Sequence, residues 1–138
     1  MNYTQHYQLP QWVETDRIMM DNFNDMTAKL DTGLAGLAGS KAELVTGTYH
    51  GDSAASRAIS LGFAPKALYL CSEGGIAGYV EGYYYVYGGL ALPGHPVVSQ
   101  GQNNAVAVEL TADGFQLTSD EYRRVNESGL TYHYLALR

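Results

Sequence analysis

The residues best suited to bind a ligand lie in a tyrosine-rich segment in the middle of the chain, residues 78–89 (GYVEGYYYVYGG). A tyrosine ring offers a flat apolar face with a hydroxyl at its edge, which suits stacking on a sugar ring or contact with a protein. Because side chains alternate along a strand, Tyr83, Tyr85 and Tyr87 are predicted to share one face. Tyrosine also favours strands in general, so packing within a sheet is the alternative reading of the same segment.

The next stretch, residues 88–102, has the composition of a long loop and runs into further amide side chains. Long loops in compact domains are often functional. Polar side chains such as His95 and Asn103 are suited to hydrogen-bonding sugar hydroxyls, although a plain polar loop has the same composition. The predicted binding residues are Tyr83, Tyr85, Tyr87, His95 and Asn103.

The histidines predict no metal site, because no two of them have the spacing of three or four residues that places a pair on one helix face. The chain contains His6, His50, His95 and His133. Two of them, His50 and His133, follow Thr-Tyr in predicted strands, and in an oligomer one of them could meet its copies at the symmetry axis. An ordinary surface or interface histidine is the alternative.

Nucleophiles and carboxylates do not predict an enzyme either. Ser53 lies in a segment that lacks the second glycine of a nucleophile elbow, and Cys71 is predicted to be a small buried residue at a strand end. Glycoside hydrolysis needs two carboxyl groups across a cleft, and a domain of this size has little room for a deep groove. The acidic residues in or beside loops are Glu73, Glu81, Asp120, Glu121 and Glu127. No P-loop or dinucleotide fingerprint occurs, so we expect no catalysis and no cofactor.

Length and charge exclude several classes of protein. The chain has 138 residues, of which 46% are hydrophobic, and this suits a single ordinary core. Its formal charge of -6 has the wrong sign for binding nucleic acid. No apolar run approaches the roughly 20 residues of a membrane span, so no membrane insertion is expected. The first residues carry no basic and apolar signal-peptide pattern, so no export address is expected.

A helix with a narrow apolar stripe is predicted to begin near Thr15. Its seam consists of Met19, Phe23, Met26 and Leu30, which are spaced four, three and four residues apart. This heptad spacing is typical of helices that associate, and a helix of about 20 residues is marginal alone in water. The stripe packs either on the chain's own β domain or between copies of the chain. Methionine specifies oligomer number poorly, so the seam leaves dimer and trimer open.

Three glycines at intervals of three, Gly33, Gly36 and Gly39, predict that the helix frays and forms a hinge. We therefore expect two domains, a helical stalk with its hinge at residues 1–40 and a β head at residues 41–138.

The head is predicted to be an antiparallel β-sandwich of short strands, which gives a mainly β fold with a short N-terminal α-helix. The clearest signal is a hairpin in which Asp113 and Gly114 form the turn. The predicted strands are Leu44–His50, Arg57–Leu61, Lys66–Cys71, Gly78–Tyr87, Ala105–Leu110, Gly114–Thr118, Tyr122–Asn126 and Thr131–Leu137.

Two separated parts of the chain resemble a known family. Residues 9–18 (LPQWVETDRI), 21–25 (DNFND) and 29–31 (KLD) resemble the N-terminal signature of tail-fibre and receptor-binding proteins from phages and prophages of Gram-positive bacteria. Residues 47–67, with the segment SRAISLGFAPKA, are similar to the start of the head domain in phage tail-tip proteins and, more distantly, of H-type lectin domains. Residues 122–136 resemble the last hairpin of such heads, whereas residues 72–104 carry no part of the resemblance.

The resemblance implies a homotrimer with a helical stalk and a β head, and it favours association of the seam between chains. It also implies a receptor-binding protein of the virion tail tip, assembled in the bacterial host cytoplasm. Its partners would be its own copies, other phage tail proteins and a bacterial surface glycan. Two alternatives stay open: a purely structural tail-fibre component, and a monomeric lectin-like module that binds carbohydrate.

Overall fold

The computed structural model describes residues 1–81 and 83–138, and for residues 79–81 and 83 it describes the backbone alone. The chain forms two compact units, Met1–Lys41 and Ala42–Arg138. The first contains a two-stranded ladder of β1 (Asn2–Tyr3) and β2 (Pro10–Gln11), followed by the helix α1 (Met20–Ser40). In the part of the chain that the structure describes, no helix has the length and apolar character to cross a membrane.

The helix begins later than Thr15, where the sequence predicts its start. The carboxylate of Asp16 accepts hydrogen bonds from the backbone N–H of Val13 and from the N-terminal ammonium, both at 2.9 Å. These bonds close a turn ahead of the helix. Met19 then occupies the N-cap in an extended conformation, without a capping side chain, and α1 starts at Met20.

The prediction that the helix frays at residues 33–40 is wrong, because α1 continues through all three glycines and ends at Ser40. A glycine in a helix costs only about 1 kcal/mol relative to alanine. The residues between the glycines are leucine and alanine, which are among the best helix formers and offset that cost.

The second unit is a β-sandwich of two four-stranded antiparallel sheets, as predicted. One sheet has the order β3-β12-β5-β8 and the other β4-β11-β10-β9, and β6 and β7 form a separate hairpin. The strands are β3 (Leu44–His50), β4 (Ser56–Ser60), β5 (Ala67–Ser72), β6 (Gly78–Glu81), β7 (Tyr83–Val86), β8 (Gly89–Ala91), β9 (Val97–Ser99), β10 (Ala105–Leu110), β11 (Gly114–Thr118) and β12 (Thr131–Leu137).

Four strands are predicted with their observed bounds, and these are β3, β10, β11 and β12. The turn at Asp113 and Gly114 is confirmed, with Val108 opposite Leu117 in the hairpin. The segment 78–87 is two strands, β6 and β7, instead of one.

The other corrections concern loops. Residues 122–126 form no continuous strand, because Asp120 accepts hydrogen bonds from the backbone N–H groups of Tyr122 and Arg123 and closes a turn at the start of the segment. Arg123 then forms an isolated parallel bridge with Val86. Residues 88–102 are not one long loop, since they contain β8 and β9. A tight turn joins these two strands, in which Leu92 and His95 exchange two backbone hydrogen bonds of 2.9 Å and Gly94 adopts a φ of 74°.

The core lies between the two sheets. Leu68, Leu70 and Tyr132 from one sheet meet Phe115 and Leu117 from the other, and all five are fully buried. The ring of Tyr132 also stacks on the Tyr49 ring at 5.0 Å between centroids. Because side chains alternate along each strand, the neighbours of these core residues point away from the core and form the outer faces of the sandwich.

Candidate functional site

Two of the predicted binding tyrosines, Tyr85 and Tyr87, meet at Arg124. The guanidinium carbon of Arg124 lies 4.4 Å from the centroid of the Tyr85 ring, and its Nη1 donates to the hydroxyl of Tyr87 at 3.5 Å. The Tyr85 ring stacks on that of Tyr122, with 6.2 Å between centroids. We call these four residues the Arg124 cluster. Its tyrosines therefore already contact side chains of their own chain.

The remaining predicted binding residues lie elsewhere. The side chain of Tyr83 falls outside the described residues, and its backbone belongs to β7 opposite Glu81. His95 is exposed in the tight turn between β8 and β9, and Asn103 is exposed after a short 3-10 turn, with a φ of 53°. The described contacts of Arg124 include neither of them, so the structure unites two of the five predicted residues.

The loops beside the Arg124 cluster frame a polar cleft of about 270 Å³. Its polar lining consists of Ser53, Ser119, Asp120, Glu121, Arg124 and Glu127. Two loops approach closely here, since a Cβ on Gly51 would lie 2.0 Å from the carbonyl oxygen of Glu127. The buried amide of Asn126 ties them together by donating to the Asp52 carboxylate at 2.6 Å and to the carbonyl of Ala54 at 3.0 Å.

Three of the five loop carboxylates named from the sequence belong to this cleft: Asp120, Glu121 and Glu127. Burial alone would raise the pKa of Asp120, but hydrogen bonds from the Arg123 side chain and from the backbone N–H groups of Arg123 and Tyr122 lower it overall. A carboxyl group with a lowered pKa is ionised at neutral pH and is a poor proton donor. Within the cleft, Asp120 is therefore a hydrogen-bond acceptor, and the guanidinium of Arg124 is a donor.

The sequence analysis does not identify Arg124 as a site residue, because the two tyrosines that it contacts lie far from it along the chain. The pair of arginines beside Tyr122 is the sequence feature that points to it, but residues 122–126 are predicted to form a strand. Arg124 is held by the carbonyl of Glu121 at 3.1 Å and by the carboxylate of Glu127 at 3.8 Å, in addition to the tyrosines. These contacts fix the guanidinium in one position at the edge of the cleft.

Of the other reactive side chains, Ser53 and His50 take part in hydrogen bonds, whereas Cys71 and His133 lie opposite each other. The hydroxyl of Ser53 accepts a hydrogen bond from the backbone N–H of Ser128 at 3.0 Å. Cys71 is partly exposed on an outer sheet face, where His133 is its cross-strand partner, and the prediction that it is buried is wrong. His50 contacts the hydroxyl of Thr131 at 3.1 Å. Within residues 1–81 and 83–138, no group of three or more His, Cys, Asp or Glu is arranged to hold a metal ion.

The predicted seam lies along α1, apart from Met19 at its N-cap. None of the residues of α1 is buried, and Phe23 and Leu30 are 50% and 42% exposed. The apolar row continues beyond Leu30 through Leu34 and Leu37. Along it runs an apolar groove of about 200 Å³, lined by Tyr7, Lys29, Leu30, Gly33, Leu34 and Leu37.

The N-terminal ladder is fastened to α1 through Lys29. Its ammonium pairs with Asp25 at 2.7 Å, donates to the carbonyl of Gln8 at 3.5 Å, and lies 5.8 Å from the centroid of the Tyr3 ring. These contacts occupy one side of the helix. Tyr7 and Lys29 line the groove beside Leu30, and both Leu30 and Phe23 stay exposed.

A second accessible apolar surface is the outer face of the β3-β12-β5-β8 sheet, which we call the outer face. It contains a depression of about 400 Å³, and the residues around its centre are Thr48, Tyr69, Cys71, His133 and Leu135. This surface was not predicted as a site, although the alternation in β12 gave a signal for it.

No family model matches the chain, and comparisons with curated proteins and with solved structures find no significant similarity.

Proposed function

We propose that this chain is a non-enzymatic attachment protein of a phage or prophage tail tip. In this proposal it is a homotrimer whose N-terminal helices associate and whose β heads contact a bacterial surface glycan. The resemblance of residues 9–31 and 47–67 to tail-fibre and receptor-binding proteins supports the assignment. Along the chain, the helix α1 precedes a mainly β unit, and this order of elements is the one that the resemblance implies.

The observation that carries the proposal is the exposed apolar row of α1. The helix has 21 residues and buries none of them. Isolated helices of this length are marginal in water, and most of their stability in proteins comes from packing an apolar face. Because Phe23, Met26 and Leu30 keep heptad spacing, a copy of the same helix is a partner that fits them, and in this proposal the copies run parallel.

The Arg124 cluster and the polar cleft beside it support binding of a neutral glycan. Fixed carboxylates accept hydrogen bonds from sugar hydroxyls, the guanidinium donates to sugar oxygens, and the nearby tyrosines supply apolar edges. Heads in one oligomer present several copies of such a site. Against a repetitive cell-wall glycan, this multivalency raises the apparent affinity of individually weak sites.

A structural tail-fibre component is the second candidate, and one observation favours it. Tyr85 and Tyr87 contact Arg124, and Tyr85 also contacts Tyr122, so these rings stabilise the head whether or not a receptor exists. A purely structural protein would need the oligomer but no glycan contact.

Two measurements test the proposal. Light scattering on a sizing column gives the mass in solution, for which we expect three times the 15.0 kDa of one chain. A single-chain mass contradicts the proposed oligomer. Sedimentation with Gram-positive cell walls then compares the wild type with the Tyr85→Ser/Tyr87→Ser variant. Loss of binding at unchanged mass supports attachment, and unchanged binding favours the structural role.

A further inference from the structure

The outer face has no formal charge, whereas charged residues make up 16% of the chain. Its positions on β3, β12, β5 and β8 are Leu44, Thr46, Thr48, His50, Thr131, His133, Leu135, Leu137, Ala67, Tyr69, Cys71 and Leu90. None of these is Asp, Glu, Lys or Arg, whereas the chain as a whole has 8 Lys+Arg and 14 Asp+Glu.

Large apolar side chains form a continuous row across this face. Leu135 stands between Thr46 of β3 and Tyr69 of β5, and Tyr69 stands opposite Leu90 of β8. Leu135, Tyr69 and Leu90 are 41%, 43% and 59% exposed. A solvent-facing sheet normally alternates apolar residues inside with polar residues outside. This face departs from that pattern, as surfaces that bind another protein do.

The opposite sheet provides the contrast. Ser56, Ala58 and Ser60 of β4 are exposed there, and the neighbouring strands add Gln116 and Glu109. These are small or polar residues, as expected for a surface in water. The same face also contains Val98 of β9 opposite Val106 of β10, and both are partly buried. Exposed large apolar side chains of the two four-stranded sheets are described on one outer face, where they include Tyr69, Leu90 and Leu135.

The size of the outer face indicates what kind of contact it can make. Four strands about 4.8 Å apart and about six residues long cover roughly 400 Å². A stable interface between free proteins needs about 800 Å² from each partner. The face is therefore too small to hold independent heads together. It is large enough to join heads whose chains are already linked at another point, because linkage raises their effective concentration.

We propose that the outer face packs against the head of another copy within the same oligomer. Each copy carries a net charge of -6, so copies repel one another over most of their surface and approach most easily where charge is absent. The proposal rests on the oligomer put forward above, since the helices supply the linkage. It adds a second contact, made by the β heads, with Leu135, Tyr69 and Leu90 as its apolar residues.

Cys71 makes this contact measurable. It is the single cysteine of the chain, and it lies on the outer face opposite His133, partly exposed. Its rate of reaction with dithiobis-nitrobenzoate therefore reports whether the face is covered. We expect the wild-type oligomer to react at least about tenfold more slowly than the full-length Phe23→Asp/Leu30→Asp variant, whose helices are changed and whose outer face is intact.

A change on the face itself gives the second arm of the experiment. Leu135→Lys, and independently Leu90→Lys, should speed the reaction of Cys71 severalfold while the mass in solution stays oligomeric. The matched control is Ala58→Lys, which adds the same charge at an exposed position of the opposite sheet and should leave the rate unchanged. Circular dichroism verifies that each variant is folded.

The possible results distinguish failure of the head contact from failure of the proposed oligomer. An oligomeric wild type in which Cys71 reacts as fast as in the Phe23→Asp/Leu30→Asp variant overturns the head contact alone. Such a result would mean that the face is open in the oligomer and available to another occupant. A single-chain mass for the wild type overturns the oligomer, and the head contact with it.

Discussion

The most direct test of the proposed oligomer is to mutate the exposed apolar residues of α1 and to measure whether the chains separate. The variant Phe23→Asp/Leu30→Asp places a carboxylate at two positions of the row in every chain. Phe23 is 50% exposed and Leu30 is 42% exposed in a single chain, so roughly half of each side chain remains to be buried by association. Burying a whole Phe or Leu side chain contributes about 1.5–3 kcal/mol. The two half-exposed residues therefore contribute about 2.5 kcal/mol in each chain.

Over three chains this amounts to about 7.5 kcal/mol, which corresponds to a factor of about 10⁵ to 10⁶ in the association constant of a trimer. Repulsion among the new carboxylates at the seam adds to the loss. We expect the double variant to elute as single chains at micromolar concentration when its mass is followed by light scattering. Its head should stay folded, because neither residue belongs to the sandwich core.

The matched control is Asn24→Asp/Ala28→Asp. It adds the same two charges on α1, at positions that the heptad spacing places away from the seam. This control should keep the mass of the wild type. If the seam variant also keeps that mass, the row of Phe23 and Leu30 is not an interface between copies. If both variants dissociate, charge on the helix is the cause and the heptad argument is wrong.

Three further predictions concern the stability of the two units. Gly36→Ala and Gly39→Ala should raise the helical signal in far-ultraviolet circular dichroism and stabilise α1 by up to about 1 kcal/mol each, since an added Cβ meets nothing within 4 Å at either position. Asn126→Ala should lower the free energy of unfolding by about 3 kcal/mol in urea, because it strands the carbonyl of Ala54 and removes a buried amide from two loops; a loss below about 1 kcal/mol would show that water replaces the amide. Asp120 has a folded-state pKa below its unfolded value, so its contribution to stability is complete above about pH 4 and is lost as the pH falls through the lowered pKa. Thermal unfolding of the wild type and Asp120→Asn should therefore differ at pH 7 and converge as the pH falls through the lowered pKa, and a constant difference would contradict the role of the ionised carboxylate.

The alternation of apolar and polar residues predicts the strands of the β-sandwich where one face of the strand is buried. Leu68, Leu70 and Ala136 alternate with outward residues, and this alternation shows in the sequence because burial selects the inward side chains. The two strands that were missed, β8 and β9, have three residues each. A strand of three residues is too short to show a period.

In the first unit, two predictions about α1 are wrong: its start near Thr15 and its fraying at the glycines. In both cases, intrinsic helix propensity alone does not decide the outcome. The start of α1 depends on where the Asp16 carboxylate finds its donors, and these are Val13 and the N-terminus of the chain. The glycine run looked like a break because glycine disfavours helices, yet the penalty per residue is small beside that of proline.

The candidate site was the least predictable feature, because it depends on contacts between distant segments. Tyr85 and Tyr87 were identified by their residue type, but Arg124, which binds both, comes from a segment that the sequence assigned to a strand. Asp120 accepts hydrogen bonds from two backbone N–H groups and so closes a turn at the start of this segment. These bonds depend on where the Asp120 side chain lies. Composition and alternation contain no information about that geometry.

The two apolar surfaces of this chain, the row on α1 and the outer face, have a joint consequence for the proposed oligomer. The row contains Met26, a flexible side chain, and Gly33, which contributes no side chain, so it specifies the number of chains weakly. A β-sheet face is rigid, and its register fixes the positions of Tyr69 and Leu135 relative to each other. Heads that pack through such a face can select one arrangement from those that the helices permit. Helix association would then supply most of the linkage, and the heads would decide how many copies the oligomer contains.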